Sequence, residues 1–223
     1  MRTLLMSILF TLLVTQSVHA QGAETKETVI GVLAFDRVLT SEITAPIEVF
    51  GAAAKKDWFS SHRVLLLSGA KNKQIVTEEG LTVIADATIH DDIDLDVLIV
   101  PGSYDLDRVK SDKPLMAFLR NQGQEVRWLG SNCSGAFLLA HAGLLDGVKA
   151  TTWAGGETDL KKSYPSVDVQ FDRNVVVDGR VITSNGGVVS YEAALTLLSK
   201  LSSPEHANEI SELLQFPRVQ NKD

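Results

Sequence analysis

The chain has 223 residues, a formal net charge of −7 and one cysteine, Cys133. An acidic chain without a basic stripe is not suited to nucleic acid or to an anionic membrane surface, so we expect neither partner. Residues 21–223 are long enough to bury one large core and contain no repeat or low-complexity linker, which predicts a single domain.

The first twenty residues have the three-part layout of a secretory signal. Residues 1–3 supply a positive start, residues 4–14 form an almost unbroken apolar run, and residues 18–20 end in the small Ala20. The run is shorter than the roughly 20 residues that span a bilayer, which disfavours the alternative of an uncleaved anchor. We therefore expect a secreted chain without membrane attachment, periplasmic if the source is Gram-negative. Loss of the one positive charge of Arg2 would change the net charge from −7 to −8.

Strands and helices alternate along the rest of the chain. Apolar runs typical of strands buried on both faces occupy residues 28–35, 63–68, 96–100 and 126–130. Hairpins are predicted at residues 75–84 and 175–183, the second around Asp178-Gly179. Helices are predicted over residues 46–54, opened by Pro46, and over 113–121, 134–141, 157–162, 188–200 and 206–214. The alternation predicts a doubly wound α/β fold: a mostly parallel, flavodoxin-like sheet with helices on both faces.

A strand runs into small residues, a cysteine and then an apolar helix at residues 129–136. The pattern small-x-Cys-x-Gly, with Ser131 and Gly135 flanking Cys133, is that of a nucleophile elbow. The start of a helix would stabilise a Cys133 thiolate and lower the thiol pKa, and the Ser134 N–H would face a developing anion. The sequence thus favours a working thiol.

A single cysteine leaves two other interpretations open. Cys133 has no partner for an internal disulfide, so it is an inert buried residue, an intermolecular linker or a functional thiol. Its position at the carboxyl end of a predicted parallel strand, where such folds bind ligands, favours the third. No spacing of His, Cys and Asp suggests a metal, and the glycine-rich stretches lack phosphate-loop spacing, so we expect no cofactor.

Several segments resemble the ThiJ/PfpI superfamily of DJ-one proteins, which have a class I glutamine amidotransferase-like fold. The resemblance is carried, in the order of that family, by residues 42–50, 100–102, 132–135, 139–147, 150–152 and 182–187. The intracellular-protease-like branch has His directly after the cysteine, whereas this chain has Ser134. A small hydroxyl residue there, with the Ala-Gly-Leu-Leu-x-Gly and Ala-Thr-Thr segments, is similar to the isonitrile hydratase branch.

The resemblance also implies a set of site residues. Glu42 stands where the superfamily has its acidic residue (Asp in isonitrile hydratases, Glu in DJ-one proteins) and becomes the partner of Cys133. Gly102 and Ser103 stand where two glycines normally complete an oxyanion site. Thr44 and Asn185 would line the same pocket.

One departure concerns the histidine of hydratase-branch proteins, which is replaced here by Trp153. We expect none of the other histidines to be catalytic, which favours a Cys–Glu pair over a triad. Residues 153–156 either shape the pocket mouth or form a packed turn.

Three functions remain open on this resemblance. The first is an enzyme that hydrates or hydrolyses a small carbon–nitrogen electrophile such as an isonitrile through Cys133 and Glu42. A glyoxalase-like reaction on aldehydes is a second enzymatic possibility, weakened by the missing histidine. The second is an oxidation-sensing or stress protein whose thiol forms sulfenic and sulfinic acids. The third is a binding module that has lost turnover. In each case we expect a small-molecule ligand and, by analogy with the superfamily, a homodimer.

Overall fold

The computed structural model describes residues 26–220, so the predicted export signal at residues 1–20 lies outside the described residues. The strands are β1 Thr28–Ala34, β2 His62–Ser68, β3 Gln74–Val76, β4 Thr82–Ile84, β5 Ala87–Thr88, β6 Val97–Val100, β7 Trp128–Asn132, β8 Lys149–Ala150, β9 Asp168–Val169, β10 Val175–Asp178 and β11 Val181–Ser184. The helices are α1 Thr40–Ala53, α2 Leu106–Ser111, α3 Lys113–Glu125, α4 Gly135–His141, α5 Glu157–Ser163, α6 Val189–Leu201, α7 Pro204–Leu213 and α8 Pro217–Gln220.

The main sheet has seven strands in the order β10-β11-β7-β6-β1-β2-β5. All pairs are parallel except β10 with β11, which forms the antiparallel hairpin expected around Asp178-Gly179. The five central strands lie side by side in the order β2-β1-β6-β7-β11. When these five are numbered 1 to 5 along the chain, the order is 2-1-3-4-5, which is the flavodoxin-like arrangement. The predicted fold class is confirmed.

Helices cover both faces of this sheet. α1, α6 and α7 pack against one another on one side, and α2, α3 and α4 form a second group. The central strands are apolar on both faces for this reason: Val97–Val100 is buried throughout and Ile30–Ala34 likewise. Burial on both faces holds the carboxyl ends of the strands rigidly, and the loops that leave those ends form the site.

The most important difference from the sequence prediction is the start of α1. The helix begins at Thr40, six residues before Pro46, so Pro46 lies inside it rather than opening it, and Glu42 lies in its first turn. The fold also contains α2, β5 and the short parallel pair β8–β9, which the apolar pattern did not indicate. These elements are two to six residues long, too short for a periodic signal.

No helix among residues 26–220 is both long and apolar enough to cross a membrane.

Candidate active site

Loops at the carboxyl edge of the main sheet meet around Cys133. They follow β1, β6, β7 and β11, and they bring Glu42, Gly102, Cys133 and Gly186 together. A Cβ atom built on Gly186 would collide with the Cβ of Cys133 and lie 2.6 Å from Glu42 Oε1; one built on Gly102 would lie 3.1 Å from Glu42 Oε2. The two glycines therefore allow the carboxyl and the thiol to approach each other.

Cys133 has the backbone of a nucleophile elbow. Its φ is +48°, in the left-handed region that residues other than glycine seldom occupy. The turn is held from both sides, because Cys133 N–H donates to Ser184 O at 2.9 Å and the Thr152 hydroxyl donates to Cys133 O at 2.9 Å. Gly135 is required, since a Cβ there would collide with Val100 O and lie 3.0 Å from Pro101 O. Surrounding structure thus fixes the strained turn that aims the thiol into the cleft.

Glu42 is fully buried beside this thiol. Its Oε2 accepts a hydrogen bond from Gly102 N–H at 2.5 Å. Its Oε1 has no partner of good hydrogen-bond geometry among the described residues, although the Cys133 thiol and the Gly187 N–H lie close enough to lower the carboxyl pKa. One carboxyl oxygen is therefore anchored and the other is left facing the reactive sulfur.

The position of Glu42 depends on Pro46 and Asn132. Pro46 has no N–H, so the Glu42 carbonyl four residues earlier loses its helical hydrogen bond. Asn132 Nδ2 donates to that carbonyl instead, at 3.2 Å, while Asn132 Oδ1 accepts from the Ser184 hydroxyl at 2.7 Å. Asn132 directly precedes the nucleophile, and through these two bonds it ties the elbow to α1 and to β11.

The thiol and the carboxyl influence each other's protonation. Burial raises the pKa of Glu42 to about 7, against the opposing effect of the Gly102 N–H. Burial, followed by the negative charge of Glu42, raises the pKa of the Cys133 thiol to about 12, although the Ser134 N–H lowers it. The expectation of a thiol of low pKa is therefore wrong when Glu42 is ionised, because burial and the charge of Glu42 raise the thiol pKa.

The same electrostatics change when Glu42 holds a proton. Its negative charge then no longer raises the thiol pKa, and its O–H becomes a donor to the sulfur, which lowers that pKa, whereas burial still raises it. The pair thus titrates as a unit that shares one proton. A thiolate at Cys133 is less disfavoured when Glu42 carries that proton, which is also the state in which Glu42 acts as an acid.

The two amides expected to complete an oxyanion site are already engaged. Gly102 N–H donates to Glu42, and Ser103 N–H donates to Ser134 Oγ at 2.9 Å; the Ser134 hydroxyl in turn donates to Ser103 O at 2.9 Å. This corrects the sequence prediction for Gly102 and Ser103. Both residues belong to the site, but their N–H groups position Glu42 and the elbow. The Ser134 N–H remains directed at the sulfur.

Thr44 does not line the pocket. It is exposed, and its hydroxyl donates to Thr40 O at 3.0 Å. The reason is the early start of α1: Glu42 and Thr44 are two residues apart on a helix of 3.6 residues per turn and point about 200° apart. Asn185 does line the pocket, as expected, although its side-chain N–H donates to Thr152 O at 2.5 Å.

The cleft above the thiol has a volume of about 470 Å³. Besides Glu42, Ser103, Cys133, Ser134 and Asn185, it is lined by Leu39, Ser41, Glu79, Tyr104, Leu106, Trp153, Gly186 and Gly187. Its size suits a small organic molecule. Both readings of residues 153–156 hold, because Trp153 lines the cleft and also stacks on Phe137 with ring centroids 4.9 Å apart.

Two of the described histidines pack away from this cleft. None of the lining residues is a histidine, and His62 and His206 instead stack on Phe59 and Trp58. Residues 26–220 contain no group of three potential metal ligands.

Sequence reasoning missed Glu79 and Tyr104 as cleft residues. Glu79 comes from the β3–β4 turn, and its carboxylate accepts from Thr40 N–H at 3.0 Å and from the Thr40 hydroxyl at 2.5 Å, so it caps α1. Tyr104 is 77% exposed at the mouth. Glu79 lies in the turn of the hairpin that the sequence predicts at residues 75–84, and nothing in the local sequence links it to Thr40 of α1, 39 residues away.

Comparison with known proteins agrees with this geometry. The chain is 30% identical over 188 residues to an isonitrile hydratase from Pseudomonas putida, covering 84% of this chain and 78% of that protein. It is 26% identical to the HTH-type transcriptional regulator GbdR of Pseudomonas aeruginosa, covering 86% of this chain but 52% of the regulator. A ThiJ/PfpI family protein from Pseudomonas syringae has the same fold, with a TM-score of 0.75 at 21% identity over 91% of this chain and 82% of its own. The family model described as DJ-1/PfpI family matches residues 28–200, and the chain belongs to this family.

Proposed function

We propose that this chain is an exported enzyme that hydrates a small carbon–nitrogen electrophile, an isonitrile being the first candidate, through Cys133 and Glu42. The observation that carries the proposal is the buried Glu42 carboxyl, with one oxygen anchored on Gly102 and the other facing the thiol. Its pKa of about 7 is suited to general acid–base catalysis near neutral pH. The similarity to an isonitrile hydratase supports the choice of substrate.

The reaction needs one proton held between the two side chains. Cys133 sulfur attacks the terminal carbon of R–NC, and Glu42 gives its proton to that carbon, which forms the thioimidate R–N=CH–S–Cys133. Water then adds its oxygen to the carbon and one hydrogen to nitrogen. Its second hydrogen returns to Glu42 as the carbonyl forms and the carbon–sulfur bond breaks. The product is R–NH–CHO, and both side chains regain their starting state.

The alternative of an oxidation sensor is less well supported. Oxidation to sulfenic acid proceeds from the thiolate. Burial and the charge of Glu42 raise the pKa of Cys133, which disfavours a thiolate in the free protein; the proposed enzyme needs the thiolate only during attack, when Glu42 holds the proton. A binding module without turnover has the same geometry, and kinetics separate it from an enzyme.

The test is steady-state kinetics with a series of alkyl isonitriles, with formamide as the measured product. We expect saturation by substrate, complete loss of turnover in Cys133→Ala, and a decrease in kcat of roughly 10²- to 10⁴-fold in Glu42→Gln. Thr44→Ala is the matched control, because Thr44 lies on the opposite side of the same helix, and it should retain full activity. Turnover that survives Cys133→Ala would contradict the mechanism, and binding without turnover would favour the module.

Export and dimerisation are parts of the same proposal that need their own measurements. The layout of residues 1–20 supports export, and N-terminal sequencing should find a mature chain beginning near Gln21. Apolar side chains exposed on the β3–β4 hairpin, Leu81 at 47% and Ile84 at 67%, support a homodimer. Sedimentation of the wild type should give twice the mass of one chain, and Ile84→Asp should shift the protein toward the mass of a monomer. A monomeric wild type would contradict the proposed homodimer.

A further inference from the structure

The charge of the cleft restricts which substrates can reach Cys133. Among the described residues that line it, the only ionisable side chains besides the thiol and the Tyr104 phenol are the carboxyls of Glu42 and Glu79. Lysine, arginine and histidine are missing from that lining. A cleft with low-dielectric walls and charges of one sign concentrates ligands of the opposite sign.

The cations near the mouth are neutralised by carboxylates. Arg37 Nε lies 2.9 Å from Glu78 Oε2, and its Nη1 lies 3.6 Å from Asp105 Oδ2. Arg108 Nε lies 3.7 Å from the same Asp105 carboxylate, and its guanidinium also contacts the Asp36 carbonyl. These arginines therefore do not offset the negative charge of Glu79.

Glu79 is held both in place and ionised. Its carboxylate accepts two hydrogen bonds from Thr40 at the start of α1, and the Thr40 hydroxyl lowers the Glu79 pKa. The side chain itself is exposed to the mouth of the cleft. Tyr104 and Trp153 add aromatic walls, whose faces attract cations.

We propose that Glu79 is a specificity-determining residue, which makes the cleft accept substrates with a cationic substituent and reject those with an anionic one. This inference deepens the proposed function and, in its substrate form, rests on it. The ligand class is a small electrophile attached to an ammonium group. The fully buried Glu42 adds a second carboxyl deeper in the same cleft, which is negatively charged whenever it does not hold the proton it shares with Cys133.

The first test uses the thiol itself and does not depend on turnover. Two methanethiosulfonates of similar size and opposite charge react with Cys133 as Cys–S⁻ + R–S–SO₂CH₃ → Cys–S–S–R + CH₃SO₂⁻, where R is trimethylammonioethyl or sulfonatoethyl. The ratio of the cationic to the anionic rate, divided by the same ratio for free cysteine, isolates the field of the cleft. Any change in the thiolate fraction cancels from this ratio.

We expect a normalised ratio above one for wild type and a decrease of about threefold to tenfold in Glu79→Gln at low salt, weaker at high salt. Gln keeps an acceptor oxygen for Thr40, so the cap of α1 survives the change. Glu125→Gln is the matched control: it removes the same charge from the exposed end of α3, before β7 and therefore at the opposite edge of the sheet. Its ratio should equal that of wild type.

A wild-type ratio equal to that of free cysteine, or equal decreases in Glu79→Gln and Glu125→Gln, would overturn the inference. The second test compares kcat/KM for isonitriles of equal length that end in trimethylammonium or carboxylate, and preference for the carboxylate would overturn it too. Charge-selective alkylation without turnover of any isonitrile would leave the specificity intact and contradict only the proposed function.

Discussion

The two halves of the site, the elbow that carries Cys133 and the first turn of α1 that carries Glu42, are specified in different ways. The elbow has a local sequence pattern, a strand followed by a cysteine of positive φ and the missing side chain at Gly135, although distant backbone atoms hold it in place. The start of α1 is set from a distance, by Glu79 on a hairpin and by Asn132 on another strand. A nucleophile is therefore readable in a local motif, whereas its acid partner depends on tertiary contacts.

The largest expected effect on the free energy of unfolding comes from a substitution in the elbow, at Gly135. Gly135→Ala places a Cβ against the carbonyl oxygens of Val100 and Pro101, which are backbone atoms that cannot move independently. We expect a loss of about 3 kcal/mol or more in the free energy of unfolding, measured by urea denaturation. Gly51→Ala is the control, since a Cβ at Gly51 in α1 meets nothing within 4 Å. It should be neutral or stabilise by up to about 1 kcal/mol. Equal effects of the two changes would contradict the steric argument.

The next largest effect concerns the buried carboxyl of Glu42 in the first turn of α1. Burial raises the Glu42 pKa from 4.5 to about 7, so between these values the folded chain holds a proton that the unfolded chain has released. The contribution of Glu42 to stability is therefore present at low pH and is lost as the pH rises through 7. Between pH 5 and 8, wild type should lose about 2 to 3 kcal/mol relative to Glu42→Gln, measured by denaturation at each pH. A difference that does not change with pH would contradict the raised pKa.

A third experiment tests the hydrogen bond from Asn132, beside the elbow, to the Glu42 carbonyl in α1. Asn132→Ala leaves the Glu42 carbonyl without a donor, and we expect it to cost about 1 to 3 kcal/mol of unfolding free energy. Adding Pro46→Ala restores a helical N–H to that carbonyl and should recover about 1 kcal/mol in the double variant. A double-mutant cycle in urea measures this coupling. Strictly additive effects would show that Asn132 does not replace the bond that Pro46 removes.

The smallest expected effect is loss of the cap of α1. Glu79→Ala removes the acceptor for both Thr40 donors and should lower the free energy of unfolding by about 1 kcal/mol. Glu79→Gln keeps an acceptor oxygen and should lie between Ala and wild type. Thermal denaturation of the three proteins at pH 8 checks the order, and an Ala variant as stable as wild type would rule out a capping role.

The fold was predictable because its signals are local and repeated. Apolar runs identified β1, β2, β6 and β7 to within about two residues, since a strand buried on both faces needs an unbroken series of apolar side chains. Short elements such as β5 and α2 carry no such signal, because two to six residues complete no period. The predicted start of α1 at Pro46 was wrong for a related reason: proline is most common at a helix start, and only the Asn132 contact makes it acceptable inside this helix.

In the site, too, the residues that follow a local pattern were predictable from that pattern and those positioned by distant contacts were not. The amino-acid sequence by itself determined the elbow, because positions 131 and 135 must be small around a strained residue, and it determined that Cys133 lies beyond the carboxyl end of a parallel strand. Glu42 was expected beside Cys133 from the family resemblance, but only the tertiary structure decided that Thr44 points away from the thiol, that the Gly102 and Ser103 amides are already engaged, and that Glu79 enters the cleft. These facts depend on the helical phase of α1 and on hydrogen bonds between residues 31 to 90 positions apart, which no local pattern encodes.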